Sequence, residues 1–301
     1  MDRPFASIQP RKRFGQHFLR DPLIPEKLVH WIAPDPADHF VEIGPGTGAL
    51  SRCLLRKNPA SLTLIEIDRD LVAALRQVYF RPSYAEEDGA TGVRGALFLI
   101  EGDALRVDYA ALAAERGAPL RVVGNLPYNI ASPLLLHLAN FRAALRDQLF
   151  MLQKEVVDRI VALPGSAAFG RLSVMLQSCY ACEWLFDVEP EAFDPPPRVR
   201  SAVIRLRRLP RDAAQRQDPV RFRASLEALA RVGFAHRRKM LRGTLLPWLA
   251  AQGFDPLTAV ELGFRPEARP QDIAVDQWCA LAAILERSSP NQPLRSISST
   301  L

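Results

Sequence analysis

Val122-Val123-Gly124-Asn125-Leu126-Pro127-Tyr128 is the stretch around which the chain is organised. Leu120 to Val123 is a short apolar run and predicts a buried strand. The run closes in Gly-Asn. Pro127, which has no N–H to give to a ladder, stops it from continuing as a central strand. An Asn, a backbone carbonyl and an aromatic ring are thereby displayed at the carboxyl end of a strand, where open α/β sheets bind ligands. These groups suit a planar ring carrying an exocyclic amine. The Asn125 oxygen and the Leu126 carbonyl can each accept one N–H of an –NH2 group. Tyr128 can stack on the ring face, a contact worth about 1–3 kcal/mol per base. With both amine hydrogens drawn toward acceptors, the amine nitrogen faces an electrophile. The alternative is a strand followed by an ordinary turn.

Toward the N-terminus, His39 to Ile43 reads as another buried strand, running into Gly44-Pro45-Gly46-Thr47-Gly48-Ala49 and a helix from Leu50. The spacing satisfies the G-x-G-x-x-G/A fingerprint, which by itself serves NAD and S-adenosylmethionine alike. Leu62 to Ile65 is the next strand. It ends at Glu66, twenty-two residues after Gly44, where a carboxylate accepts hydrogen bonds from ribose hydroxyls; Asp68 is the alternative acceptor. Asp70 to Phe80 is helical, with Leu71, Leu75 and Val78 on one face, and the polar stretch 81–95 reads as a loop. A third strand, Ala96 to Ile100, leads to Asp103, either a ligand for an adenine amine or a loop cap. At the very start, Arg11-Lys12-Arg13-Phe14-Gly15-Gln16-His17-Phe18-Leu19 interleaves basic and aromatic residues, as a cofactor-closing flap or a basic arm would. Asp21 then caps a helix reaching Ile32.

Toward the C-terminus, Ser132-Pro133 is expected to open a helix. Gln148 to Leu152 is a fifth strand, followed by a helix from Lys154 to Leu163. Leu172 to Cys182 and Ala202 to Leu206 are strand candidates that would complete a seven-stranded sheet with a final antiparallel hairpin. Cys179 and Cys182, three apart on a strand, would point to opposite faces, which argues against a metal. Phe193-Asp194-Pro195-Pro196-Pro197 is a rigid loop in which Phe193 is either the second face of a base sandwich or a hydrophobic plug. The polar stretch 210–219 reads as a linker and 220–287 as all-helical, with Arg231, Arg238 and Arg242 sharing a face, before a disordered tail at 288–301.

Composition narrows the class. The 301 residues are 48% hydrophobic, and no apolar run approaches the ~20 residues of a membrane helix. Four scattered cysteines exclude a disulfide scaffold, and the N-terminus lacks a secretory core, so a cytoplasmic enzyme is expected. The net charge of +6 is uneven. Arg198 to Pro247 holds fourteen Arg and Lys against three acids, an excess of eleven, which leaves −5 on the rest. A basic block on an otherwise acidic chain suits a polyanion docking on one region, although an Arg-rich solvated surface has the same composition.

The motifs agree in order and spacing: Arg-Phe-Gly-Gln-His-Phe-Leu at 13–19, Glu-Ile-Gly-Pro-Gly-Thr-Gly at 42–48, Glu-Ile-Asp at 66–68 and Gly-Asp-Ala at 102–104. Gly-Asn-Leu-Pro-Tyr-Asn-Ile at 124–130, Met-Leu-Gln-Lys-Glu-Val at 151–156, Phe-Asp-Pro-Pro-Pro at 193–197 and Phe-Ala-His-Arg-Arg-Lys at 234–239 follow. Together, over residues 11 to about 285, they resemble the small-subunit ribosomal RNA adenine dimethyltransferases. The resemblance implies a Rossmann-like, seven-stranded α/β methyltransferase sheet over 1–209 and a smaller all-helical RNA-binding domain over 210–287. It implies N6,N6-dimethylation of two adjacent adenosines near the 3′ end of 16S rRNA within the small ribosomal subunit, with S-adenosylmethionine as donor and no metal. The implied enzyme is a monomer that touches no membrane. Its cofactor residues would be His17, Leu19, Gly44, Glu66, Asp103 and Asn125, and its catalytic residues Asn125, Leu126, Tyr128 and Phe193. Arg237, Arg238, Lys239 and Arg242 are the RNA-binding candidates. His17 departs from the Asn often found in the family, and 81–95 is longer than usual.

Three rivals remain. A large-subunit rRNA adenine methyltransferase of the macrolide-resistance type shares the core, but Leu126 and the His-Arg-Arg-Lys run favour the small subunit. An NAD-dependent oxidoreductase explains Gly44 to Glu66 and leaves Asn125 to Tyr128 idle. A non-enzymatic ribosome-assembly factor needs only the basic surface.

Overall fold

The structure is a computed structural model that describes residues 5, 8, 10–11, 15–80, 96–210 and 219–288. The 81–95 stretch, most of the 210–219 linker, the tail from 289, and Lys12, Arg13 and Phe14 lie outside the described residues. Two compact units emerge: Met1–Val157 with Glu183–Arg208, and Asp158–Cys182 with the chain from Leu209 onward. A single cut near 209 thus leaves out 158–182, which groups with the helical unit.

The first unit is an α/β sheet. Its strands are β2 (His39–Ile43), β3 (Ser61–Glu66), β4 (Ala96–Glu101), β5 (Leu120–Asn125), β6 (Leu145–Gln153), β7 (Tyr180–Val188) and β9 (Ser201–Arg208). They lie in the order β4-β3-β2-β5-β6-β9-β7. The β2–β3, β3–β4, β2–β5 and β5–β6 pairs are parallel, and β9 is antiparallel to β6. The chain adds β3 and β4 on one side of β2, then crosses to place β5 on the other. That reversal opens a crevice beyond the carboxyl ends of β2 and β5. Two short strands, β1 (Phe18–Leu19) and β8 (Phe193–Asp194), pair antiparallel, Phe18 opposite Asp194 and Leu19 opposite Phe193.

Helices α1 (Leu23–Ile32), α2 (Ala49–Leu55), α3 (Arg69–Tyr79), α4 (Tyr109–Arg116) and α5 (Ala131–Leu138) flank these strands in sequence, and α6 (Lys154–Val161) follows β6. The N-cap of α1 is Pro22 rather than the expected Asp21, which instead accepts the Leu23 N–H at 2.9 Å from one residue further back. Leu71, Leu75 and Val78 form the buried face of α3. Helix α5 starts one residue before Ser132, with Ile130 at its N-cap and no side-chain cap. Pro133 therefore sits inside the first turn, where a missing N–H costs nothing.

The expected strand Leu172 to Cys182 is corrected. Its first half is a helix, α7 (Arg171–Gln177), and the strand begins only at Tyr180. Ser173 Oγ accepts the Gly170 N–H at 2.9 Å, and Gln177 donates to the Ile160 and Ala162 carbonyls at 2.7 and 2.8 Å. A short apolar run fits a buried helix and a strand equally, and these side-chain bonds decide it. Cys179 consequently precedes the strand and the opposite-face argument does not apply; burial raises the Cys182 thiol pKa, and neither cysteine is in a disulfide. Among the described residues no His, Cys, Asp and Glu cluster could hold a metal ion, and no helix is long and apolar enough to cross a membrane.

The second unit adds α8 (Pro219–Ala235), α9 (Leu245–Ala251), α10 (Pro256–Glu261) and α11 (Val275–Ser288). Buried Trp278 stacks on Phe234 at 5.6 Å and meets Phe264 edge-on at 5.1 Å. Helix α8 stops at Ala235, so Arg238 and Arg242 do not continue the face of Arg231 as helical spacing implied.

Gly124 marks where β5 comes closest to β2: a Cβ added there would overlap the Ile43 carbonyl oxygen. Backbone cannot swing aside as a flexible side chain does. Gly124→Ala is expected to force the strands apart and cost about 1–3 kcal/mol, the usual range for overpacking. Denaturant unfolding measures it, and a wild-type midpoint would show that the pair yields freely.

Candidate active site

A cavity opens beyond the carboxyl ends of β2, β3, β4 and β5. His17, Leu19, Gly44, Glu66, Asp103, Asn125, Leu126 and Tyr128 all line it. Eight residues singled out from sequence are thus brought together from segments more than a hundred positions apart.

On one side stands Glu66, at the end of β3 and nearly buried. Its carboxylate accepts N–H groups from Ile67 and Asp68 at 3.0 Å each and from Gly46 at 3.4 Å. Gly46 has a φ of 57°, and an added Cβ would lie 3.1 Å from the Phe18 ring, so the backbone here is as close to the flap as glycine permits. Burial raises the Glu66 pKa, opposed by the backbone hydrogen bonds to Asp68, Gly46 and Ile67. Asp68, the alternative ribose acceptor, has other work. It accepts from Arg11 Nη1 and from Gln16 Nε2 at 3.1 Å each, and from the Asp70 N–H at the start of α3 at 3.1 Å. Asp103 accepts the Leu105 N–H at 2.9 Å and lines the cavity, so the loop cap and the candidate ligand are one residue.

Opposite stands the Asn125 stretch. Asn125 Nδ2 donates to the His17 carbonyl at 3.0 Å, which commits the amide's N–H side to the flap and leaves Oδ1 as an acceptor. The His17 ring lies 5.4 Å from the Tyr128 ring, and its Nδ1 is 2.7 Å from the Pro195 carbonyl oxygen. The Tyr128 hydroxyl is 2.9 Å from Ser201 Oγ. The segment 15–19 is therefore tethered at both ends and lies along the cavity, which favours a flap over a loose basic arm.

Phe193 does not join them. Its ring is 2% exposed and packs in the hydrophobic core with Phe18, Leu185, Phe186 and Val188. The antiparallel register with β1 sets Phe193 opposite Leu19, and the ring closes the core beneath the loop as a plug. Phe193 is not among the residues that line the cavity.

In the second unit, Arg238, Lys239 and Arg242 are exposed, whereas Arg237 donates to the Ala167 and Phe169 carbonyls, the latter at 2.6 Å. Arg237 thus ties the turn after α8 to the 163–170 segment.

These observations meet the comparisons with known proteins. A family profile described as ribosomal RNA adenine dimethylase matches residues 8–286. The chain belongs to the ribosomal RNA adenine dimethylase family. A Bordetella petrii ribosomal RNA small subunit methyltransferase A is 51% identical over 277 residues, covering 92% of this chain and 95% of that protein. The Bordetella pertussis protein of the same name is 49% identical, covering 95% of this chain and 98% of that protein. Among solved structures, a dimethyladenosine transferase from Plasmodium falciparum has a TM-score of 0.67 at 22% identity, covering 88% of this chain and 96% of that one. The 23S rRNA methyltransferase ErmE has a TM-score of 0.60 at 22% identity, covering 90% of this chain and 100% of that one. Both structures support the α/β fold with its helical addition.

Sequence reasoning missed one acid in this member of the family. Glu42, on β2, is buried, lines the cavity and accepts from Ser51 Oγ at 2.6 Å. Burial lifts its pKa to about 7, with the Ser51 bond lowering it and nearby Glu66 raising it. The folded protein therefore holds a proton that the unfolded chain releases near the ordinary carboxylate value of 4.5. The stability this proton confers is full below that value and is lost as pH rises through about 7. Glu42→Gln should abolish that decline, making the variant more stable than wild type above pH 7 by an amount on the order of a few kcal/mol. Thermal melts of the ligand-free protein from pH 5 to 8 check it; parallel profiles would mean Glu42 stays ionised throughout.

Proposed function

We propose that this rRNA adenine dimethylase transfers methyl groups from S-adenosylmethionine to the N6 amines of two adjacent adenosines near the 3′ end of 16S rRNA, in the cytoplasm, acting on the small ribosomal subunit or its precursor as a monomer. The observation that carries the reading is Asn125, whose N–H side is committed to the His17 carbonyl, leaving Oδ1 to receive a base amine. The names of the relatives, each a small subunit methyltransferase, favour this substrate over the large-subunit alternative.

The cavity has the groups a nucleoside sulfonium donor needs. Glu66, held by three backbone N–H groups, would accept from ribose hydroxyls, and Asp103 from the adenine amine. The Gly44 loop would admit the donor close to the backbone, under His17 and Leu19. The donor supplies an electrophilic methyl group on a positively charged sulfur. Asn125 Oδ1 and the Leu126 carbonyl would hold the two hydrogens of the target amine, and Tyr128 would stack on its ring. As the nitrogen gains positive character its hydrogens become stronger donors, so both contacts tighten in the transition state and favour the transfer itself. The target base must leave its stack to reach them. As the N–CH3 bond forms, the S–CH3 bond breaks and leaves a neutral thioether, and the resulting aminium releases its proton to water; orientation then supplies much of the rate, without a general base to activate the amine.

Radiolabelled methyl transfer to 30S subunits that lack these modifications tests the assignment directly, with 50S subunits and free 23S rRNA as controls; label in 23S rRNA alone would overturn it. Asn125→Ala is expected to lower kcat by tenfold or more while leaving KM for the rRNA substrate nearly unchanged, because the lost contact to the base amine strengthens only during transfer. Calorimetric titration should give S-adenosylmethionine binding and no NAD binding; the reverse would return the site to the oxidoreductase reading.

The exposed Arg238, Lys239 and Arg242 would meet RNA phosphates, each neutralised phosphate releasing counterions with a salt slope of about 0.7 to 0.9. Replacing all three with Ala is expected to weaken subunit binding and flatten that slope by about 2 to 3 units, with S-adenosylmethionine affinity unchanged. Arg237 is left intact because its removal would free the turn. Binding isotherms at several salt concentrations decide it; an unchanged slope would leave the patch as solvated surface.

A further inference from the structure

Ser201 is the first residue of β9 and is fully buried. Its hydroxyl lies 2.9 Å from that of Tyr128, which belongs to the turn after β5. The two residues are seventy-three positions apart, and β5, which leads into the Tyr128 turn, does not pair with β9, since β6 lies between them. They meet because β9 runs antiparallel to β6, with Ser201 opposite Gln153, the last residue of β6. An antiparallel strand begins at the edge where its parallel neighbours end. The register therefore delivers Ser201 to the cavity side of the sheet.

We propose that Ser201 is a positioning residue for methyl transfer: it tethers the tip of the Tyr128 ring and so fixes the tilt of the face on which the target base stacks. The inference rests on the reading of Tyr128 as the stacking residue. A tyrosine ring turns about only two bonds. One end is already set by the backbone that Pro127 restricts, and a bond at the hydroxyl fixes the other. Stacking falls off as the ring planes tilt apart, and a tilted base carries its amine out of line with the electrophile, so a loose ring lowers turnover before it lowers binding. The tether needs Tyr128 protonated or Ser201 donating. Burial raises the phenol pKa, which keeps the proton on the ring at neutral pH. A purely structural role, in which Ser201 only satisfies a buried hydroxyl, gives a different pattern on mutation.

A double-mutant cycle separates the two. Ser201→Ala and Tyr128→Phe each remove one end of the tether and keep the ring. Each is expected to lower kcat on 30S subunits about 2- to 10-fold, the range for one hydrogen bond, with S-adenosylmethionine affinity unchanged. The Ser201→Ala/Tyr128→Phe double variant should be no slower than either single variant. Losses that multiply would overturn the proposal, as would wild-type kcat in Tyr128→Phe, which tests the tether even if Ser201→Ala folds poorly. Tyr128→Ala identifies where a failure lies. If it is inactive while the cycle shows no coupling, only the tether is refuted; wild-type turnover in Tyr128→Ala removes the stacking role itself.

Discussion

The parallel pairing of β2 with β5 sets Glu42 opposite Val123 and brings Gly44 and Asn125 to one edge of the sheet. The site depends on that pairing. Because β3 and β4 lie on the far side of β2, the connections after β2 and β5 leave in opposite directions and a crevice opens between them. Glycine at 124 lets the two backbones approach, and a carbonyl-rich strand end faces a glycine-rich one. One wall of the crevice is built from backbone N–H groups and acids, the other from an amide, a carbonyl and a ring.

The flap joins these walls. At one end Arg11 and Gln16 reach Asp68, two residues from Glu66. At the other, the His17 carbonyl receives Asn125 and its ring meets both Tyr128 and the Pro195 carbonyl. Between them Phe18 and Leu19 form β1 with β8. The segment that lines the cavity also orients the Asn125 amide. His17 serves through its backbone at Asn125 and through its ring at Pro195, so the amide contact does not depend on the side chain at this position.

Glu66 and Glu42 are both held by neutral donors. Glu66 is stabilised by backbone dipoles and Glu42 by a serine hydroxyl, while burial raises both pKa values, helped by the charge of Asp68 at Glu66 and by that of Glu66 at Glu42. Backbone donors favour the charged form of Glu66 where an acceptor for ribose hydroxyls is needed. A positively charged sulfonium in the same cavity would relieve the repulsion between the two, which gives the donor an electrostatic advantage over a neutral ligand of equal shape.

Local patterns in the sequence determined the parallel strands, because each is a short apolar run ending in a residue with chemistry of its own: Gly44, Glu66, Asp103, Asn125. Contacts between distant segments were beyond their reach. Residues 172–177 read as strand until Ser173 and Gln177 found partners that favour a helix. Phe193 was open between pocket and plug, and only the β1–β8 register turned its ring into the core. Arg237 had the same composition as its neighbours, and carbonyls seventy positions away drew it out of the exposed set. Periodicity and turn chemistry are properties of neighbours along the chain. A hydrogen-bond partner or a packed ring is chosen from everything that folding brings near, and that choice belongs to the tertiary structure.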